Sequence, residues 1–321
     1  MSPTAAQMQL SPQVGNTLEV GPGTQVGLGW LADYPDFRDF HAGTDQFRTP
    51  AAASQAGETI KGLLTKTGTA APVAALPPTV DLRPWFSPIE NQGNLGSCTA
   101  NAGVGVVEYF ERRAFGRHID ASRLFLYKAS RNFMHLTGDT GAYLRTTMGA
   151  LTLFGIPPEE YWPYNIANFD DEPSAFCYSF ADNYKAIQYF RLDPAGTPTA
   201  DVLTLVKTQL AAGIPAMFGF TVYDSINQAN TSGKIPFPAS GDRVVGGHAI
   251  VAVGYDDTLK IKNQPNGPET TGALRIRNSW GTGWGEYGYG YMPYEYVTRG
   301  VAQDFWCLLK ASWINTGNFK I

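Results

Sequence analysis

The sequence predicts an α+β fold, because a run of helical segments is followed by a run of strands instead of alternating with them. Hydrophobic residues make up 43% and charged residues 16%, a balance that supports a buried core and excludes a disordered chain. A length of 321 residues suits two lobes, or one domain with an appendage. The 35 glycines and 22 prolines supply many turns, and no internal repeat is visible.

Residues 1–28 contain no Lys or Arg and no periodicity. Residues 29–48 carry Trp30, Tyr34, Phe37, Phe40 and Phe47, too many aromatics for a solvated tail, so this segment is expected to dock. Residues 49–78, rich in Ala, Thr, Gly and Pro, read as a linker with a short helix around Ile60–Leu64. The globular part starts near Pro77. Ser97 can cap a helix from Cys98 to about Phe115. A second helix is expected over Ala121–Phe133, with Ser122 near its start. A third is expected over Ala142–Phe154, stopped by Gly155. One more helix spans about Ala200–Ala212. Strands follow at 216–222, 248–255, 274–280, 287–292 and 305–313, with Pro265–Pro268 as a hairpin-type connection. The tail after Trp313 is expected to return to the surface.

Net charge is −4 with no long run of one sign, which lacks the footprint of a nucleic-acid or anionic-membrane binder. No apolar stretch reaches the roughly 18–20 residues of a membrane helix. Neither a nucleic-acid nor a membrane partner is expected, and the chain reads as a monomer. The first residues show no Sec-type signal, which leaves a cytoplasmic location or export by another route. Three cysteines (Cys98, Cys177, Cys307) cannot form a disulfide framework. The histidines are His41, His118, His135 and His248, with no metal-ligand spacing among them; no metal and no cofactor is expected.

Three segments carry chemistry. In Asn91–Ala100 a cysteine opens a helix behind Gly93 and Gly96, where free N–H groups and the helix dipole stabilise a thiolate. Gln92 offers an amide donor that could reach an oxyanion beside the sulfur. A small buried cysteine would fit the same segment. His248 opens an apolar strand straight after Gly246 and Gly247; alone, it could be a core histidine satisfied by hydrogen bonds. Asn278 and Trp280 stand in a Gly/aromatic turn, Asn278–Gly285, that could merely pack. His248 lies 150 residues after Cys98, and Asn278 lies 180 after it.

Taken together, the Gln92–Cys98 block, the His248 strand and the Asn-Ser-Trp-Gly turn resemble the papain-like cysteine peptidases over about residues 77–313. The resemblance implies a two-lobe fold: a helical lobe over about 77–185, a β-barrel-like lobe over about 186–313, and a cleft between them. Residues 1–76 would form an arm with a linker. It implies Cys98 as nucleophile, His248 as its proton partner, Asn278 as orienter of the imidazole, and Gln92 with the Cys98 N–H as oxyanion donors. Thr140, Gly141 and Ala142 would bind substrate backbone, with Gly247 and Trp280 also at the substrate side and Trp280 shielding the imidazole. The stretch Tyr294–Phe305 bears on specificity, and no residue in it is singled out.

Leu95 and Thr99 replace the family's usual cysteine and aromatic around the nucleophile, so the loop-anchoring disulfide is absent. That suits a bacterial-type member. Cys177 and Cys307 are expected reduced and buried. The implied activity is hydrolysis of peptide or protein substrates through a Cys98 acyl-enzyme. A ligase, transpeptidase or isopeptidase would use the same thioester, and a non-catalytic binding protein could use the same scaffold. The N-terminal segment is expected to cover the cleft as an inhibitor in zymogen fashion; packing on the back of a lobe is the competing reading.

Overall fold

The computed structural model describes residues 16–36, 39–41, 60–69, 75–184 and 188–319. Phe37, Phe47 and most of the expected linker lie outside the described residues.

The arm contributes three short strands, β1 (Thr17–Glu19), β2 (Gln25–Gly27) and β3 (Trp30–Leu31). Helix α1 (Ile60–Thr67) follows, then β4 (Thr79–Asp81). The first half of the body holds α2 (Cys98–Phe115), α3 (Arg123–Phe133), β5 (Ala142–Tyr143), α4 (Leu144–Phe154) and α5 (Ala175–Ala181). The second half holds β6 (Gln188–Arg191), α6 (Thr199–Ala211), β7 (Ala216–Tyr223), β8 (Val244–Lys262), β9 (Glu269–Arg277), β10 (Tyr289–Pro293), α7 (Tyr294–Thr298), β11 (Ala302–Leu309) and α8 (Ala311–Ile314).

Helix α2 ends where Gly116 takes φ +72°, a left-handed conformation that glycine adopts without a Cβ penalty. The Ser122 side chain caps α3 by accepting from the Phe125 N–H at 3.1 Å. Ser97 does not do this for α2: its hydroxyl shares a hydrogen bond with Tyr164 at 2.6 Å, and its φ and ψ are not those of an extended cap. The helix expected from Ala142 starts at Leu144, because Ala142 and Tyr143 are extended and pair with β3.

The main sheet has the order β10-β9-β8-β7-β11-β6, antiparallel throughout, and β4 also pairs with β8. Since β4 and the helices share the first half, the two lobes are less separate along the chain than they are in space. Residues Gly246–Tyr255 of β8 are all buried, which explains their unbroken apolar run. The loop between β8 and β9 is the expected hairpin connection.

The C-terminal end differs from expectation. The last strand stops at Leu309 and α8 follows. Trp313 stacks on Phe110 of α2 at 4.8 Å, and Phe319 is fully buried against the same ring, with Arg113 over its face. Two aromatic rings hold this tail to the body more strongly than its polar residues draw it to water. Cys177 and Cys307 are buried free thiols.

Candidate active site

The cleft runs between the N-terminus of α2 and the edge formed by β7, β8 and the turn after β9. Cys98 is the first residue of α2 and is fully buried. Nearby backbone N–H groups of Ala249, Gly29 and Thr99 favour its thiolate. Ala249 follows His248 directly, so the sulfur lies against the histidine strand. Gly29 belongs to the arm.

Sheet register assembles the other wall. Val251 of β8 pairs with Arg277 at the end of β9, and the bend that follows brings Asn278 and Trp280 against His248 while Trp280 bridges Asn91. The two rings stack at 4.6 Å with 28° between planes. Asn278 sits two residues before Trp280 on the same face. Its Oδ1 accepts from His248 Nε2 at 2.8 Å and from the Ser279 N–H at 2.8 Å. An oxygen that already accepts from an amide can only accept again, so Nε2 carries the imidazole hydrogen. Nδ1 is then the basic nitrogen, and it has no hydrogen-bond partner among the described residues.

Gln92 joins the walls. Its backbone N–H donates to Ser279 O at 2.9 Å, and its Oε1 accepts from Ser279 Oγ at 2.6 Å. Its Nε2 donates to Leu95 O at 2.8 Å and to Gly27 O of the arm at 3.0 Å.

The arm threads this cleft. Strand β3 lies parallel to β5, pairing Trp30 with Ala142, and the Ala142 N–H donates to Gly29 O at 2.9 Å. Gly27 and Gly29 are required by close approach: a Cβ on Gly27 would lie 2.3 Å from Leu95 O, and one on Gly29 would lie 1.9 Å from Gly96 O. Gly141 takes φ +72° against Gly29 O, and Gly247 faces Trp30. Further along, Asp39 accepts from Arg145 of α4 at 2.7 and 2.8 Å and from Arg191 of β6 at 3.4 Å. Of the expected site residues, Cys98, Gln92, Gly141, Ala142 and Gly247 therefore all meet the arm. Thr140 turns its hydroxyl to Gly141 O instead.

With the cleft covered, burial pushes the Cys98 thiol up to about 11, against the three N–H donors. Burial likewise draws His248 down to about 4, against its bond to Asn278. The pair is therefore held as thiol and neutral imidazole.

Sequence reasoning missed two residues here. Asp139 accepts from the Gly96 N–H through both oxygens, at 3.0 and 3.1 Å, and from the Tyr127 hydroxyl, tying the loop before Cys98 to the edge at Gly141. That is the loop whose anchoring disulfide the sequence lacks. Asp304 is fully buried in β11, under the Trp30 side chain. An acidic residue inside the apolar run Ala302–Leu309 was a readable signal, since a carboxylate is buried only when paired.

A family profile described as papain family cysteine protease matches residues 76–308. A peptidase C1-like protein of Acanthamoeba polyphaga mimivirus is 33% identical over 224 residues, which covers 68% of this chain and 68% of that protein. Chymopapain of Carica papaya is 27% identical over 223 residues, covering 68% of this chain and 55% of its own length. Among solved structures, xylellain, a cysteine protease from Xylella fastidiosa, superposes with a TM-score of 0.68 at 33% identity, covering 89% of this chain and 97% of that one. That cover reaches beyond the residues the profile matches. Digestive procathepsin L 3 of Tenebrio molitor shares the fold at 22% identity, with a TM-score of 0.54 over 72% of this chain and 69% of that one. The profile spans well over half of the chain, and relatives at 33% identity stand beside it in sequence and in structure: the chain belongs to the papain family of cysteine proteases and is a thiol-dependent peptidase.

Proposed function

We propose that this peptidase is a zymogen, shut by its own residues 16–41, and that Cys98, His248, Asn278 and Gln92 carry its chemistry once the arm leaves. The observation that supports it is the arm's course through the site: the Ala142 N–H donates to Gly29 O, Trp30 pairs with Ala142, and Gln92 Nε2 donates to Gly27 O, so the edge and the amide that would serve a substrate are already engaged.

When a peptide replaces the arm, His248 Nδ1 takes the thiol proton and the thiolate attacks the scissile carbonyl. Gln92 Nε2 and the Cys98 N–H donate to the oxyanion, each donor worth roughly 10²–10³ in kcat. The imidazolium then protonates the leaving amine, and water, activated by His248, hydrolyses the thioester. Asn278 keeps the imidazole turned, and Trp280 covers their bond. Thr140–Ala142 would hold substrate backbone by the same edge that holds β3.

Intact mass after exposure to an epoxysuccinyl peptide tests both parts. The full chain should label slowly, Cys98→Ala not at all, and Gly29→Val, whose side chain cannot fit beside Gly96 O, at least tenfold faster than the full chain. Equal rates for Gly29→Val and the full chain would remove the inhibitory role. Once labelling is seen, adding an amine nucleophile to a turnover assay separates hydrolysis from ligation: water should remain the main acceptor.

A further inference from the structure

Asp139 stands in the loop between α3 and β5, and its carboxylate joins two parts of the cleft that must act together on a peptide. Both of its oxygens accept from the Gly96 N–H, at 3.0 and 3.1 Å, two residues before the nucleophile. Oδ1 also accepts from the Tyr127 hydroxyl at 2.5 Å, and that hydroxyl accepts in turn from the Gly141 N–H at 3.0 Å. Burial, with the Asp139 charge beside it, holds the Tyr127 phenol far above its ordinary range, so the phenol keeps its proton and donates. A proton given on one side and an N–H received on the other leave this hydroxyl a single arrangement. The fit at Gly96 is close: a Cβ there would lie 2.9 Å from Asp139 Oδ1. The carboxylate is itself held in place. The neighbouring Gly138 donates to Asp170 Oδ2 at 2.9 Å and accepts from Arg131 Nη1 at 2.5 Å, and the Arg131 guanidinium lies 4.2 Å from the centre of the Tyr127 ring.

We infer that Asp139 is a positioning residue for the reaction: through Gly96 it sets the loop that bears the Cys98 N–H and Leu95 O, the acceptor that holds Gln92, and through Tyr127 it sets the edge at Gly141, so that oxyanion donors and substrate backbone keep one spacing. Its charge does not serve the sulfur. Burial is the main cause that pushes the Cys98 thiol up, and the Asp139 carboxylate adds to it. A group that opposes the thiolate and yet stands here is kept for geometry. Bonds to an ionised acceptor are roughly twice as strong as those between neutral groups, and a carboxylate can accept all three at this point. The return is large, because a misplacement of about 1 Å can cost on the order of 10² in rate. The inference rests on the roles proposed above for Cys98 and Gln92.

Amide hydrogen exchange in the full chain tests the linkage itself. Asp139→Asn should speed exchange at least tenfold at both Gly96 and Gly141. Tyr127→Phe should do so at Gly141 and change Gly96 less than threefold. Unchanged Gly96 exchange in Asp139→Asn, or Gly141 exchange moved by neither variant, overturns the assignment. Labelling of Cys98 by an epoxysuccinyl peptide in the Gly29→Val chain, followed against reagent concentration and counted per folded molecule, reads the consequence for the reaction. Tyr127→Phe should raise the half-saturating concentration at least fivefold and leave the limiting rate within twofold. Asp139→Asn should also lower the limiting rate at least tenfold, and the two changes together should match Asp139→Asn alone within twofold. Both constants unmoved in both variants, or effects that multiply, would make Asp139 a part of the scaffold only and overturn the assignment. Faster exchange at both glycines in a chain that takes no label supports the linkage and counts against the roles of Cys98 and Gln92.

Discussion

Two segments precede the catalytic body, and they are attached by different mixtures of contacts. Residues 16–36 and 39–41 are joined to the body by strand pairing, by Gln92, by the carboxylates of Asp33 and Asp39 on its arginines, and by burial of Val26, Leu28 and Trp30. Helix α1 lies at the back, against α8, with Ile60, Leu63 and Leu64 in the hydrophobic core. The two readings of the N-terminal region, cleft cover and structural strap, draw on different parts of it. Apolar burial has no substitute in water, whereas hydrogen bonds and ion pairs at a cleft can be replaced by a substrate or by solvent. On the proposed zymogen reading, the first segment, which carries the polar contacts, is the one exchanged, and the second remains.

That contrast can be broken in four ways. Leu63→Ala should cost about 2–5 kcal/mol in urea unfolding of the full chain, as for other fully buried leucines; a loss under ~1 kcal/mol would mean that α1 is as separable as the arm. Alkylation of Cys98 in the full chain by iodoacetamide should rise about tenfold per pH unit towards pH 11, because the arm's burial of the sulfur keeps it protonated below that. With Gly29→Val the sulfur regains water, so the rise should begin at lower pH; superimposable profiles would show that the arm does not set the thiol's state. Asp39→Ala removes the hydrogen bonds to Arg145 and Arg191 and should speed labelling of Cys98 about tenfold, while the urea midpoint of the body moves little. A common loss of both would make the arm part of the core. Lys66→Ala, on the exposed face of α1, removes surface contacts that include the bond to Asn315 and should change stability by no more than about 0.5 kcal/mol.

The motif residues were recognisable only together. A cysteine at a helix start, a histidine opening an apolar strand, and an asparagine two residues before a tryptophan each allow a purely structural reading alone, and their order and spacing along the chain carry the resemblance. Asp304 was not legible in the same way, since its partners Trp30, Arg191 and Asp193 come from the arm and from another strand. Ser97 shows the converse error: the capping pattern is present, but a tertiary hydroxyl, Tyr164, claims the side chain. The aromatic density of the arm announced that it docks, and only the pairing of Trp30 with Ala142 says where. Phe319 near the chain end carries no periodic signal at all, because its burial depends on a tilted ring contact with Phe110.

The pairing of β3 with β5 and the flanking bonds of Gly27 mean that the cleft holds chain lying nearly straight from Gln25 to Leu31. At roughly 3.3 Å per residue that is a track of about 20 Å. A helix turns its N–H and C=O groups onto its own chain and cannot make the edge bonds that β3 makes with β5. Whatever displaces the arm must therefore arrive already unravelled, so the rate at which a folded protein is cut will be governed by how often that protein's own loops and ends come loose.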